Sequence, residues 1–257
     1  MDFQIDKIYN EDCLEGMKRI ADGAVDCIIS DLPYGTTACS WDAVIPFEPL
    51  WEQFKRVTKP NAAIVLFGSE PFSSALRMSN IKAFKYDWIW EKSKASNFLQ
   101  ASYMPMKAHE TISVFCFGGK TKYNPIKRKG EPFNKGYRIT KGDRPTQVYE
   151  DIPNIESYEI VNESGDRNPR SVIYFKTSES EGEVFHPTQK PVDLLRYLIL
   201  TYSNEGDTIL DATIGSGTTA VAALMEKRHF IGFETNKEYF DIAQGRIDEV
   251  MRNPTLF

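Results

Sequence analysis

The chain has 257 residues, 41% hydrophobic and 26% charged, which suits one large or two small globular domains and excludes a disordered chain. Its four cysteines (Cys13, Cys27, Cys39, Cys116) are well separated and form no CxxC pair, so they spell neither a disulfide framework nor a zinc site. A formal net charge of -5 speaks against a uniformly basic surface of the kind that coats nucleic acid, although the average hides a local reversal.

The N-terminus, MDFQIDKIYNED, has no basic n-region or apolar h-region, and the longest apolar run, Ala62 to Phe67, is far short of a membrane span. A cytoplasmic protein with no membrane partner is expected. Short runs rich in Val, Ile and Phe alternate with helical patterns, which predicts an α/β fold: a doubly wound, mostly parallel sheet with helices on both faces. In the first half, strands are predicted at Lys7–Asn10, Val25–Ser30, Ala62–Phe67, Tyr86–Trp90 and Thr111–Phe117. Phe47, Leu50, Trp51, Phe54 and Val57 recur at helical spacing, so Pro46 to Thr58 reads as a helix with one buried face.

After Gly118-Gly119 the texture changes. Lys120 to Arg170 is rich in Lys, Arg, Gly, Pro, Asn and Asp with few sustained periodic runs, which reads as an insertion. Periodicity returns with Leu194, Leu195, Leu198, Ile199 and Tyr202, on a helix that Pro191 can start and Gly206 can follow. A strand Thr208–Ala212, a glycine turn, a helix Thr218–Arg228 and a strand Phe230–Phe233 complete the order.

Two turns carry the chemistry. Asp211-Ala-Thr-Ile-Gly215-Ser-Gly217-Thr-Thr219 joins a strand to a helix, where glycines allow a sharp turn and close approach of a ligand, and Glu234 ends the next strand, where it can accept from ribose hydroxyls. No Lys follows the turn, which speaks against a triphosphate P-loop; a nicotinamide dinucleotide and S-adenosylmethionine both remain. The strand Val25–Ser30 runs into Asp31-Leu32-Pro33-Tyr34-Gly35. Pro33 holds Leu32 extended with its carbonyl out of local secondary structure. Asp31 and that carbonyl can each accept one N–H of an exocyclic amine while Tyr34 stacks on the ring that bears it.

In this order the motifs resemble those of the amino-group DNA methyltransferases that make N6-methyladenine or N4-methylcytosine, in the permuted arrangement called the beta class. The likeness runs over nearly the whole chain: Asp31-Leu32-Pro33-Tyr34 looks like the DPPY-type catalytic motif, and Asp211 to Thr219 like the glycine loop. His186-Pro-Thr188-Gln-Lys190-Pro191 resembles the motif ahead of the first cofactor helix, Phe230 to Asn236 the segment that holds the ribose, and Asn10 to Glu15 the segment whose acid, here Asp12, approaches the cofactor adenine. Lys107-Ala-His-Glu110 shares in the likeness. The chain departs from the family at Leu32, usually Pro, and at Ala212-Thr213, where a Pro-Phe pair is common.

The resemblance implies a circularly permuted, seven-stranded Rossmann-like sheet: a catalytic half at 1–119, an inserted target-recognition region at 120–185 and a cofactor half at 186–257. It implies S-adenosylmethionine held by Asp12, Thr188, Lys190, Asp211, Thr213, Gly215, Ser216, Gly217, Thr218, Glu234 and Asn236, with no metal. The substrate would be a base of double-stranded DNA flipped into the site. Asp31 favours adenine N6, since relatives acting on cytosine N4 more often carry Ser there. A cytosine enzyme, a nicotinamide dehydrogenase and a non-catalytic DNA-binding relative are the alternatives; a homodimer and a cognate restriction nuclease are left open. From Lys120 to Thr146 nine basic residues face two acidic ones, interleaved with Tyr123, Phe133 and Tyr137. This stretch is therefore expected to bind DNA through Lys122, Lys127, Arg128, Lys129, Lys135, Arg138, Lys141 and Arg144.

Overall fold

The computed structural model describes residues 4–36, 42–139, 157–180, 184–185 and 189–253. They form two compact units, Met1–Asn124 with Ser171–Phe257, and Pro125–Arg170. In the first, the strands are β1 (Lys7–Tyr9), β2 (Val25–Ser30), β3 (Thr58–Gly68), β4 (Phe84–Ser96), β5 (Lys107–Phe115), β8 (Val172–Phe175), β9 (Thr208–Asp211) and β10 (His229–Phe233). They build one sheet in the order β1-β10-β9-β2-β3-β5-β4-β8, in which β5 alone runs against its neighbours. The fold is the expected mostly parallel α/β sheet, with eight strands in place of seven.

Both faces of the central strands are buried, and alternation along each strand divides the core in two. Cys27 and Ile29 of β2 join Ala63, Val65 and Phe67 of β3 under α4 (Val192–Tyr202), α5 (Thr218–Met225) and α6 (Lys237–Arg252). Ile28 of β2 joins Ile64 and Leu66 of β3 on the other face, against α1 (Cys13–Met17), α2 (Phe47–Val57) and α3 (Phe72–Ser79). In α2, Leu50, Phe54 and Val57 are fully buried, each contributing about 1.5–3 kcal/mol by leaving water. The Thr58 hydroxyl closes that helix by donating to the Phe54 carbonyl at 2.7 Å. Tyr202 ends α4 inside the core, where its hydroxyl accepts from Trp88 Nε1 at 2.6 Å.

Helices α1, α3 and α6 and strand β8 extend the predicted set. Strand β8 lies in the region read as insertion, yet it pairs in parallel with β4, Ile89 against Val172, and Trp90 Nε1 donates to the Phe175 carbonyl at 3.0 Å. Four residues at a sheet edge, half-exposed, give too short an alternation to stand out in the sequence. The second unit carries an antiparallel pair, β6 (Phe133–Ile139) with β7 (Ser157–Asn162), and Arg167 lies over the Phe133 ring at 4.6 Å. Among the described residues no helix is long and apolar enough to cross a membrane.

Candidate active site

Strands β2 and β9 are parallel neighbours, so the turns that follow them emerge side by side at the C-terminal edge of the sheet. Side chains join the two turns: the Ser30 hydroxyl accepts from Ala212 N at 2.8 Å, and the Thr213 hydroxyl donates to the Asp31 carbonyl at 3.0 Å. Asp42 clamps the far side of the first turn by accepting from Gly35 N and Thr36 N, both at 2.9 Å. Leu32 is buried below this turn, and the Tyr34 ring stacks on Phe72 with centroids 4.9 Å apart.

The Asp31 carboxylate sits at one end of a row of charges. The Tyr34 hydroxyl donates to its Oδ1 at 2.5 Å, and Lys190 Nζ donates to its Oδ2. Lys190 also lies 3.4 Å from Glu110 Oε2, and Lys92 lies 3.3 Å from Glu110 Oε1. Burial pushes the Asp31 carboxyl up, against the pull of Lys190. Burial also opposes ionisation of Glu110, but the two lysines outweigh it and hold that carboxyl below its usual range. For Lys190 the same contest ends the other way in sign: desolvation disfavours its charge, while Asp31 and Glu110 prevail and raise its pKa. Tyr34 is held well above the ordinary phenol range by burial and by the carboxylate it touches.

The glycine turn is built on Asp211. Its carboxylate accepts from the Thr219 hydroxyl at 2.6 Å and from Thr213 N at 3.1 Å, and burial pushes its pKa up to about 6. Gly217 has φ +84, and a Cβ there would stand 2.9 Å from that of Ala243, so only glycine lets α5 begin against α6. Gly215 has φ +53, with nothing within 4 Å of the place a Cβ would occupy, which leaves its backbone open to a ligand. Glu234 holds the turn from the next strand: it accepts from Gly215 N at 3.0 Å and from Asn236 N at 2.7 Å, and burial raises its carboxyl pKa. Asp12 caps α1 by accepting from Leu14 N and Glu15 N.

A single cavity of about 740 Å³ opens on both turns. Asp31, Leu32, Pro33 and Tyr34 line it, as do Asp12, Lys190, Asp211, Thr213, Gly215, Ser216, Thr218 and Glu234. Two residues expected at a cofactor do not line it. Gly217 serves helix packing, and Asn236 caps α6 by accepting from Glu238 N and Tyr239 N. Thr188 lies outside the described residues. The sequence reading did not assign Lys92, Asp42, Phe72 or Gln189, whose amide accepts from the Ser216 hydroxyl at 3.2 Å. A signal for Lys92 existed: strand alternation puts it on the same face as Trp88 and Trp90.

Of the basic residues assigned to DNA, Lys122 stands apart from the others. It pairs with Asp207 at the start of β9, and its N–H donates to the Asn61 carbonyl at 3.0 Å, so it belongs to the sheet edge opposite the cavity. Strand β5, antiparallel to β3, delivers this segment to that edge. Lys127, Arg128, Lys129 and Lys135 are exposed on the second unit, with Lys129 paired to Asp166 at 2.8 Å. The backbone of Arg138 lies in β6; its side chain, and Lys141 and Arg144 altogether, lie outside the described residues.

Known proteins match this chain along most of its length. It is 29% identical over 281 residues to the type II methyltransferase M.BglII of Bacillus subtilis, a match covering 98% of this chain and 72% of that protein. It is 26% identical over 283 residues to M.HinfI of Haemophilus influenzae, covering 97% and 70%. Among solved structures, the M1.HpyAVI–SAM complex superposes with TM-score 0.62 at 24% identity over 94% of this chain and 98% of that one. The cytosine-N4-specific PvuII DNA methyltransferase superposes with TM-score 0.65 at 14% identity, covering 96% and 91%. At such identities these two show the shared fold. The family model for DNA methylases of the N6 and N4 amino groups matches residues 25–245, from the first residue of β2 into α6 and across both ligand-bearing turns, and the chain belongs to that family.

Proposed function

We propose that the protein transfers a methyl group from S-adenosylmethionine to the exocyclic N6 amine of an adenine flipped out of a specific sequence in duplex DNA. The observation that carries this reading is the convergence, in one cavity, of the Asp31–Tyr34 turn with the glycine turn and Glu234. The residues suit the cofactor: an open backbone at Gly215, a carboxylate from Glu234 for ribose hydroxyls, and a volume within the range of small-molecule sites. When bound, S-adenosylmethionine supplies an electrophilic methyl group. The chain's own residues do the rest.

The adenine amine is a poor nucleophile because its lone pair is conjugated with the ring. Asp31 and the Leu32 carbonyl accept its two N–H groups and favour the charge that grows on nitrogen, a stabilisation realised mainly in the transition state. In the structure the Tyr34 hydroxyl occupies Asp31 Oδ1, so an entering amine takes over that acceptor as the ring of Tyr34 meets the base. Lys190 keeps the second oxygen and so fixes the carboxylate's orientation. The exposed lysines and arginine of the second unit, Lys127, Arg128, Lys129 and Lys135, support a role for that unit in contacting phosphates.

Incubation of duplex DNA with methyl-labelled S-adenosylmethionine, followed by digestion to nucleosides, tests the proposal. Label in N6-methyl-2′-deoxyadenosine is the expected result. Label in N4-methyl-2′-deoxycytidine would move the substrate to cytosine, and no label in DNA would refute the activity.

A further inference from the structure

The loop joining β4 to β5, Asn97 to Met106, exposes an unusual amount of apolar surface. Leu99 is 92% exposed, Phe98 76% and Tyr103 69%, with Met104 and Met106 also exposed. Clusters of this kind on a soluble chain mark a surface that is covered in use. The turn is formed and held: backbone N–H groups of Gln100, Ala101, Tyr103 and Met104 donate to the carbonyls of Asn97, Phe98 and Gln100 within 3.1 Å.

Topology places this loop beside the site. Strand β5 is antiparallel to β3, Thr111 against Gly68, and β4 is antiparallel to β5, so β4 ends and β5 begins at the edge where Asp31 and Asp211 stand. The last residues of β4, Lys92, Lys94, Ala95 and Ser96, line the cavity and lead straight into the loop. From Lys92 to Lys107 there are three lysines and no acidic residue. That composition suits a polyanion. The core of a contact between protein copies is depleted in lysine, which disfavours a second copy of this chain as the occupant.

We propose that the Asn97–Met106 loop is a wedge that enters duplex DNA, with Phe98 and Leu99 filling the place in the base stack left by the nucleotide turned into the cavity. The proposal rests on the base-flipping reading above. Extrusion of a base costs unstacking energy and leaves a gap of apolar ring faces; apolar side chains inserted between base steps offset that cost in other DNA-bending proteins. The flanking Lys94 and Lys107 would meet the adjoining phosphates.

The test uses the full chain and the F98A/L99A double variant, whose changes are at exposed positions. Plasmid DNA is methylated by the wild type and the site mapped by sequencing; a duplex is then made with 2-aminopurine as the neighbour of the methylated base. Wild-type binding is expected to raise the 2-aminopurine fluorescence. The variant is expected to lose most of that rise and at least about tenfold in methylation rate. Its cofactor affinity and sedimentation mass should match the wild type. L99M, which keeps apolar volume, should retain the rise. An undiminished fluorescence rise in the double variant would overturn the wedge, and a lower sedimentation mass would make the loop a contact between copies instead. A wild-type protein that methylates no DNA would refute the proposed activity itself, and the wedge would fall with it.

Discussion

Glu110→Gln removes one charge from the row Lys92, Glu110, Lys190 and Asp31 while keeping the shape of the side chain. Glu110 faces Lys92 at 3.3 Å and Lys190 at 3.4 Å, and the three side chains are at most 16% exposed. At those separations and an effective dielectric near 20, each attraction is about 5 kcal/mol before desolvation is subtracted. Breaking a buried pair by removing one partner typically costs about 3–5 kcal/mol, because the other charge is left buried. Lys190 keeps Asp31, so the lower end, about 3 kcal/mol, is expected, and for a domain of this size it lowers Tm by roughly 6–12 °C. The sign of the pH dependence follows from the direction of the shift. Glu110 has a lower pKa folded than unfolded, so its contribution is complete above the unfolded value near 4.5 and is lost as pH falls through the folded one. Scanning calorimetry of wild type and variant should therefore show the largest gap at about pH 7 and a smaller one at about pH 4. Equal Tm at both pH values, or a gap that widens on acidification, would refute the charge-row reasoning. Methyl transfer should also slow at unchanged cofactor affinity, because Lys190 then loses the Glu110 charge that shares it with Asp31.

Three further outcomes are expected. Asp31→Ala should cost at least about 100-fold in methyl transfer while cofactor affinity by calorimetry stays within a small factor; near-normal turnover would remove Asp31 from the chemistry. Glu234→Ala removes the acceptor for Gly215 N and Asn236 N and the one assigned to the ribose, so S-adenosylmethionine affinity should fall about 10–100-fold by calorimetry. An unchanged affinity would show that the ribose contact is misassigned. Charge reversal of Lys127 and Lys129 should weaken DNA binding on all sequences and flatten the slope of log affinity against log salt by about 2, and an unchanged slope would return these residues to plain surface.

Where a strand is buried on both faces, its run of apolar residues is continuous and the sequence reading found it: β2, β3, β9 and β10 stand close to where they were predicted. The helices with the strongest apolar stripes, α2 and α4, were equally legible. Helix α6 was not, because only Ala243, Ile247 and Val250 of its sixteen residues are buried. Helix α3 turns a serine, Ser73, into the core beside Phe72 and Leu76, where its hydroxyl bonds to Thr111 at 2.7 Å, and a polar residue there masks the period. At the site, motif order exposed the turn residues. Lys92 acts through Glu110 on the neighbouring strand, Asp42 through backbone N–H groups of a turn just before it, and Lys122 pairs with Asp207, far along the chain; none of these contacts leaves a motif in the sequence.

The meeting of the two turns follows from strand order rather than from any local feature. Ser30 and Asp31 bond to Ala212 and Thr213 across 182 residues of chain, because β2 and β9 pair in parallel. After β9 the chain crosses to the face covered by α5, whereas after β2 it crosses to the opposite face, covered by α2. Two neighbouring parallel strands whose continuations leave on opposite faces must part at their C-terminal ends, and the crevice between them is where ligands bind in open α/β sheets. The order of the two turns along the chain is then no obstacle to the site. Either turn can come first in the chain, since what brings Asp31 to the glycine turn is the register Cys27 to Ile209, and the residues that lie between the two strands in sequence leave that pairing intact.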